Sequence, residues 1–421
     1  MDNVVAFISG RDPAAEISGG HSSYVRAHAR GALRAGYTPH IFCAAPQGDI
    51  VETEYGVIHR IASPVRPVRQ LMVMAYAQVL ATEVERFLTV RPGAGLIHSF
   101  GVWGYVGVQA AAGLHSKGRR ARTILSSYTT YTDEFRGKIE GLAASYGTLA
   151  RLRYRIEDLW ARWMVERFER DAYLRSNVVA VNYESVTKLI RTRYGASVNI
   201  VKVPYTCESA FLDDNDAGLS DPVVKSRRRP GAISLVSIAR SEPNKGTPVL
   251  LAALAAVRQT GAEFSACIVG DGRLLESHRR LADKQGLTSA VTMTGAVPDV
   301  IPYLREADVF VLPSLSEGSG SLALIEAMQM GLPIVASAVD GIVEDLEDGR
   351  NALLVSPGDV SELSGAISKL AADPVLRSKL GHSARARFLE RFSAEAFSKA
   401  LGQLYSGLAD MGGSGVGGSG R

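Results

Sequence analysis

Cysteine is scarce in this chain: three residues in 421, Cys43, Cys207 and Cys267, odd in number and far apart. That spacing excludes a disulfide framework and a cysteine zinc site, and it fits a reducing compartment. Other metal-ligating patterns are missing too. The eight His are dispersed, so neither a metal nor another cofactor is expected. No apolar run approaches the roughly 18 residues that a membrane-spanning helix needs. Met1 leads directly into the apolar run Val4–Ile8, without the basic start and long apolar stretch of an export signal. These absences predict a protein made and kept in the cytoplasm. Nucleic acid is not an expected partner, because no known binding-module pattern occurs and the net charge is only +4.

The basic excess lies in the N-terminal half, notably at Arg60, Arg66 and Arg69, at Lys117, Arg119, Arg120 and Arg122, and at Arg151, Arg153 and Arg155. Such clusters can hold anionic lipid, nucleic acid or an anionic acceptor. Glu157, Asp158, Glu166 and Glu169 are interleaved with them, the pattern of a solvated face. Peripheral membrane contact is therefore expected to be weak or absent.

With 46% hydrophobic residues the chain can build sizeable cores, and its length suits two domains. Apolar runs at Val4–Ser9, His40–Cys43, Leu96–His98, Thr123–Ser126 and Val178–Val181 read as strands. Helix-length periodic segments, Leu71–Leu88 and Leu149–Leu174 among them, lie between the runs. The alternation restarts at Ile233–Ile238 and continues at Ala266–Val269, Val291–Thr294, Val309–Leu312 and Ile334–Ala336. Strands alternating with helices imply βαβ units, parallel sheets and an α/β class. The expected division is a first domain over 1–207, a polar linker over 208–230 and a second domain over 231–393. A terminal helix over 394–410 and a flexible Gly/Ser tail over 411–421 complete it.

The densest chemistry lies in Pro313–Ser337. A buried strand runs into the small-residue loop Ser316–Ser321, and a helical segment through Ile325, Ala327 and Met328 follows. A strand, a Gly-rich loop and a helix N-terminus supply unpaired N–H groups and a positive dipole end for an anion. Two carboxylates frame the loop, Glu317 at its head and Glu326 in the helix. A carboxylate there would repel phosphate, so it is expected to face hydroxyls of a sugar or ribose. A nucleotide-sugar site is the reading that reconciles both.

These residues resemble the signature of glycosyltransferase family 4, retaining enzymes of the GT-B fold, in which seven residues separate two Glu. Here eight separate Glu317 from Glu326, the extra one falling in Gly318–Leu322. The resemblance implies two Rossmann-like doubly wound domains facing across a cleft, with the last helix crossing back to the first domain. It also implies a retaining, metal-independent transfer of sugar from a nucleotide donor to a hydroxyl acceptor. In Ser237–Gly246, Arg240 and Lys245 match the cations that grip the donor diphosphate, the work a divalent ion does in other transferases. By the same resemblance Glu317 reaches the transferred sugar and Glu326 holds ribose hydroxyls. Gly318, Ser319, Gly320, Ser321 and Leu322 would line the donor, Gly270 would make a tight turn near the nucleotide, and Val297 would lie at the base. Gly19 and Gly20 match a Gly-Gly that permits close approach of phosphate or sugar.

His98 ends a strand and could hydrogen-bond acceptor or sugar hydroxyls, or serve structure. Many relatives have a further His after the next strand, where this chain has Ser126–Glu134; Ser127, Tyr128 or Thr129 are the candidate replacements. The base, the sugar, the acceptor and the oligomeric state stay open at this level. Alternatives are a GT-B sugar-nucleotide epimerase, a phosphorylase-like enzyme using sugar phosphate, or a catalytically silent nucleotide-binding GT-B protein.

Overall fold

The computed structural model describes residues 3–15, 20–62, 72–91, 95–142, 148–207 and 232–410. The chain divides into two compact units, one of Met1–Thr132, Leu159–Glu208 and Ala394–Arg421, the other of Asp133–Asp158 and Ser209–Ser393. The segment 133–158, which sequence pattern alone places with the first domain, belongs to the second unit. The linker candidate 208–230 and the tail 411–421 lie outside the described residues.

The first unit is built on eight strands: β1 (Val4–Ser9), β2 (Thr38–Ala45), β3 (Asp49–Thr53), β4 (Gly56–Ala62), β5 (Gly95–Phe100), β6 (Ala121–Ser127), β7 (Val178–Val181) and β8 (Ile200–Lys202). Their order is β3-β4-β2-β1-β5-β6-β7-β8. All neighbours are parallel except β3 and β4, which form an antiparallel edge hairpin. Val5, Ala6, Phe7 and Ile8 of β1 are fully buried, as expected of a central parallel strand covered on both faces. One core packs Ile8, Phe42, Leu80 and Val84 with Ile97, Val106 and Leu114, and another packs Leu125, Val179 and Val181 with Val186 and Ile190.

The helix Ala394–Asp410 joins this unit. Its Phe397, Leu401 and Tyr405 are buried, and the Phe397 ring lies edge-on to His28, centroids 4.9 Å apart. Gly31 makes room for that ring: a Cβ there would sit 2.5 Å from it.

In the second unit six parallel strands, β9 (Ile233–Ile238), β10 (Phe264–Val269), β11 (Val291–Gly295), β12 (Val309–Leu312), β13 (Ile334–Ser337) and β14 (Leu353–Val355), run in the order β11-β10-β9-β12-β13-β14. Strand order reverses between β9 and β12, so the loops leaving their carboxyl ends flank a topological switch point, where open α/β sheets leave a crevice for ligands. The core gathers Leu235, Leu251, Leu254, Val309, Val311 and Val335 with Ile367 and Leu370.

Candidate active site

The loops after β9 and β12 are locked together. Asn244 accepts from the Leu315 N–H at 2.8 Å through its backbone carbonyl and donates from its side chain to the Ser316 carbonyl at 3.0 Å. Gly246, at φ +66°, passes so close to Pro313 that a Cβ would lie 1.9 Å from the Pro313 carbonyl oxygen. Only glycine tolerates both that conformation and that approach. Gly270 meets the same demand beside Ala239, at φ +133° with 2.1 Å to the Ala239 oxygen.

This framework brings Lys245 to Glu317. The Lys245 ammonium donates to Glu317 Oε2 at 2.5 Å, and the Ser314 hydroxyl donates to Oε1 at 2.5 Å. The Glu317 side chain is only 5% exposed, despite the extra residue in the loop. Arg240, 57% exposed, pairs with Glu134 Oε1 at 2.9 Å, and Lys138 reaches the same oxygen at 3.0 Å. Burial pushes the Glu134 carboxyl up, but Lys138 and Arg240 beside it pull harder and leave it well below the usual range. Neither Glu134 nor Lys138 belongs to the motifs that mark the site in sequence.

Two further ties were not foreseen. Asp340, at φ +44°, accepts from the backbone N–H groups of Glu317 and Gly318, both at 2.7 Å, and Gly341 donates to the Ser319 carbonyl at 3.0 Å. The turn after β13 thus shapes the loop. Its signal was an Asp-Gly pair following a strand, one of the few contexts in which a non-glycine residue enters the left-handed region. Ser319 is buried, Gly318 has φ +75°, and Ser321 precedes the helix Leu322–Gln329, with Leu322 as its first residue. Glu326 is a buried residue of that helix. Val297 is half-buried in the turn after β11.

The segment 133–158 packs on the same loops. A Cβ on Gly137 would lie 2.6 Å from the Ser316 hydroxyl, and one on Gly141 would lie 2.6 Å from the Pro243 carbonyl. Tyr154 donates to Glu242 at 2.7 Å and Arg273 pairs with Glu157 at 2.5 Å. These contacts explain why the segment clusters with the second unit.

In the first unit His98 is a core residue, which corrects its assignment as a hydroxyl-binding group. It is fully buried, and its Nδ1 meets the Tyr405 hydroxyl and its Nε2 the Ser126 hydroxyl, each at 2.7 Å. Burial lowers its pKa well below the usual value. Gly19 lies outside the described residues; Gly20 opens the helix Gly20–Arg34 and is exposed. Beside it His21, which sequence reasoning missed, bonds Tyr128 at 3.3 Å and Ser9 at 3.5 Å. Of the three candidate hydroxyls after β6, Tyr128 is half-buried and reaches His21, whereas Ser127 is buried against Tyr173. Among the described residues no group of three or more His, Cys, Asp and Glu could hold a metal ion. Nor is any described helix long and apolar enough to cross a membrane.

The two units define a GT-B fold, shared with solved glycosyltransferases. Sucrose-phosphate synthase from Thermosynechococcus elongatus superposes with a TM-score of 0.77 at 22% identity, covering 97% of this chain and all of that one. WaaG, a glycosyltransferase involved in lipopolysaccharide biosynthesis, gives 0.68 at 17% identity over 96% of this chain and 100% of its own. Anabaena HepE, solved in complex with UDP-glucose, gives 0.67 at 16% identity over 96% of this chain and 100% of its own. Residues 232–373, which carry the Arg240, Lys245, Glu317 and Glu326 loops, match the family described as glycosyl transferases group 1.

Relatives include the GDP-mannose-dependent alpha-(1-6)-phosphatidylinositol monomannoside mannosyltransferase of Mycolicibacterium smegmatis, 28% identical over 46% of this chain and 54% of that protein. The lipopolysaccharide core biosynthesis glycosyltransferase LpsE of Rhizobium meliloti is 31% identical over 40% of this chain and 48% of its own. The chain thus spans about half the length of these two curated relatives.

Proposed function

We propose that the protein is a retaining glycosyltransferase that moves a sugar from a nucleotide-sugar donor to a hydroxyl acceptor without a metal ion. The observation that carries this reading is the pairing of the β9 and β12 loops at the switch point, which sets Lys245 against a carboxylate-headed, Gly-rich loop within the stretch that matches the group 1 family. Nucleotide-sugar use is supported by the UDP-glucose in the HepE structure and by the GDP-mannose dependence in the mannosyltransferase's name.

As the bond between the sugar's anomeric carbon and the diphosphate oxygen breaks, the leaving group gains charge. Arg240, Lys245 and the N–H groups at the start of Leu322–Gln329 would stabilise it. The acceptor oxygen bonds to the anomeric carbon on the face the diphosphate leaves, and the departing phosphate oxygen takes the acceptor's proton. Arg240 is the cation more readily offered, because its own side chain is 57% exposed and Glu134 keeps Lys138 as a partner when Arg240 leaves. Lys245 must exchange a buried partner.

Thermal melting against UDP-, GDP- and ADP-sugars in excess EDTA tests this. One nucleotide class should stabilise the protein, by about 2.7 kcal/mol at 100 times its dissociation constant, and Arg240→Ala should lose most of that gain. Stabilisation that needs magnesium or manganese would refute metal independence, and none with any donor would refute the reading. Turnover of the stabilising donor without acceptor would point to an epimerase instead.

A further inference from the structure

The helix Thr148–Trp160 presents an apolar stripe to solvent that its own sequence disguises. Leu149, Leu152, Ile156 and Leu159 recur at alternating steps of three and four, so they share one face. They are 55% to 83% exposed, and Trp163 in the following π-helical turn is 82% exposed. Tyr154 and Glu157, away from the stripe, anchor the helix through Glu242 and Arg273.

At about 100° per residue, Arg153 falls on one flank of the stripe and Arg155 on the other. Both are exposed, as are Arg162, Arg167 and Arg170 further along. The interleaved acids do not share that exposure. Asp158 and Glu169 are buried, half-buried Glu157 is shared between Arg273 and Arg153, and Glu166 is half-buried and pairs with Arg193. None of the exposed described residues between 148 and 170 is acidic. The exposed charges of this face are therefore all arginines, although the acids are interleaved with them in sequence.

We infer that this face docks on an anionic lipid bilayer, with Leu149, Leu152, Ile156, Leu159 and Trp163 entering the interface and the flanking arginines meeting lipid headgroups. Large apolar side chains on one face, a Trp and a purely cationic border are the combination that holds a helix in the plane of a charged membrane. A second copy of the chain fits poorly, since a two-fold contact on this stripe would set one arginine border against another. This inference is independent of the proposed chemistry, because none of these side chains belongs to the β9 or β12 loops.

Co-sedimentation of the full chain with vesicles tests it, using phosphatidylcholine alone and an equal mixture of phosphatidylcholine and phosphatidylglycerol. Pelleting should require the anionic lipid. Leu152→Gln with Ile156→Gln should weaken partition at least tenfold, given the transfer free energy of one buried aliphatic side chain. Arg155→Gln should weaken it about fivefold at low salt and less at high salt. All three positions are exposed, so the variants should fold, and unchanged melting temperatures would show that they do. Absence of pelleting, pelleting that ignores the anionic lipid, or pelleting untouched by the stripe variant would each overturn the inference. A dimer in analytical ultracentrifugation that the stripe variant dissolves would assign the face to a second copy.

Discussion

Glu317 is held by Lys245 and Ser314, so replacing it acts on binding and on stability together. Breaking one side of a buried ion pair costs about 3–5 kcal/mol, because the remaining charge stays buried without its partner. Lys245 would be that remaining charge, and a donor diphosphate would give it a new one. Glu317→Gln is therefore expected to lower the melting temperature, and saturating donor should recover much of the loss. If Glu317 also reaches the transferred sugar, kcat should fall while donor KM moves little, whereas Glu326→Gln should act chiefly on KM. A kcat for Glu317→Gln within about twofold of the parent, a barrier change under roughly 0.5 kcal/mol, would leave Glu317 as a partner of Lys245 only.

At the scale of elements, the central strands were legible because continuous apolar runs bury both faces. β1, β7, β9 and β12 have the bounds their sequences suggested. The hairpin β3–β4, β8 and β14 were not legible. β3 is half-exposed at a sheet edge, and β8 and β14 have three residues each, too few to show a period. In the site, Arg240, Lys245 and Glu317 could be found because each follows a strand within a recognisable motif. Asp340 and Lys138 could not, since only the folded chain brings them to those loops.

The lock between the β9 and β12 loops belongs to this scale and can be tested at one glycine. Gly246→Ala must strain a left-handed residue and move the Pro313 carbonyl, so a loss of at least 2 kcal/mol is expected, on the order of a backbone strain plus a steric clash. Gly261 has φ +83° but nothing within 4 Å of an added Cβ, which makes Gly261→Ala the control. Its cost should be about 1–2 kcal/mol, the left-handed penalty alone. Equal losses in urea titrations of the two variants would mean that the two loops are not locked at this point.

For the whole molecule, buried histidines set the response to acid. Burial lowers His28 and His278 to about 4, and burial with His59 and Arg91 nearby lowers His40 to about 4. The unfolded chain protonates these side chains near 6.5, before the folded one can, so stability is lost as pH falls from about 6.5 toward 4. His28 alone is worth about 3 kcal/mol across that window. Glu169 opposes this: burial raises it to about 7, so its contribution is present below about 4.5 and fades as pH rises toward 7. Histidines prevail by number, and His28, His40 and His98 lie in the first unit against His278 in the second. Calorimetry at pH 7.5 and pH 5 should show the first unit's transition moving down further than the second's. A uniform shift, or none, would contradict the assignment.

The bond between His98 and Tyr405 joins residues 307 positions apart in a unit whose middle is occupied by the other unit's sequence. On a ribosome adding about 5–20 residues per second, roughly 10–40 seconds pass between the emergence of β8 and that of the helix Ala394–Asp410. Throughout that interval the pocket for Phe397, Leu401 and Tyr405 has no occupant. The second unit can complete its sheet as soon as it is made, while the unit begun first must finish last. The nascent chain therefore carries an apolar surface that a chaperone can recognise until translation passes Tyr405.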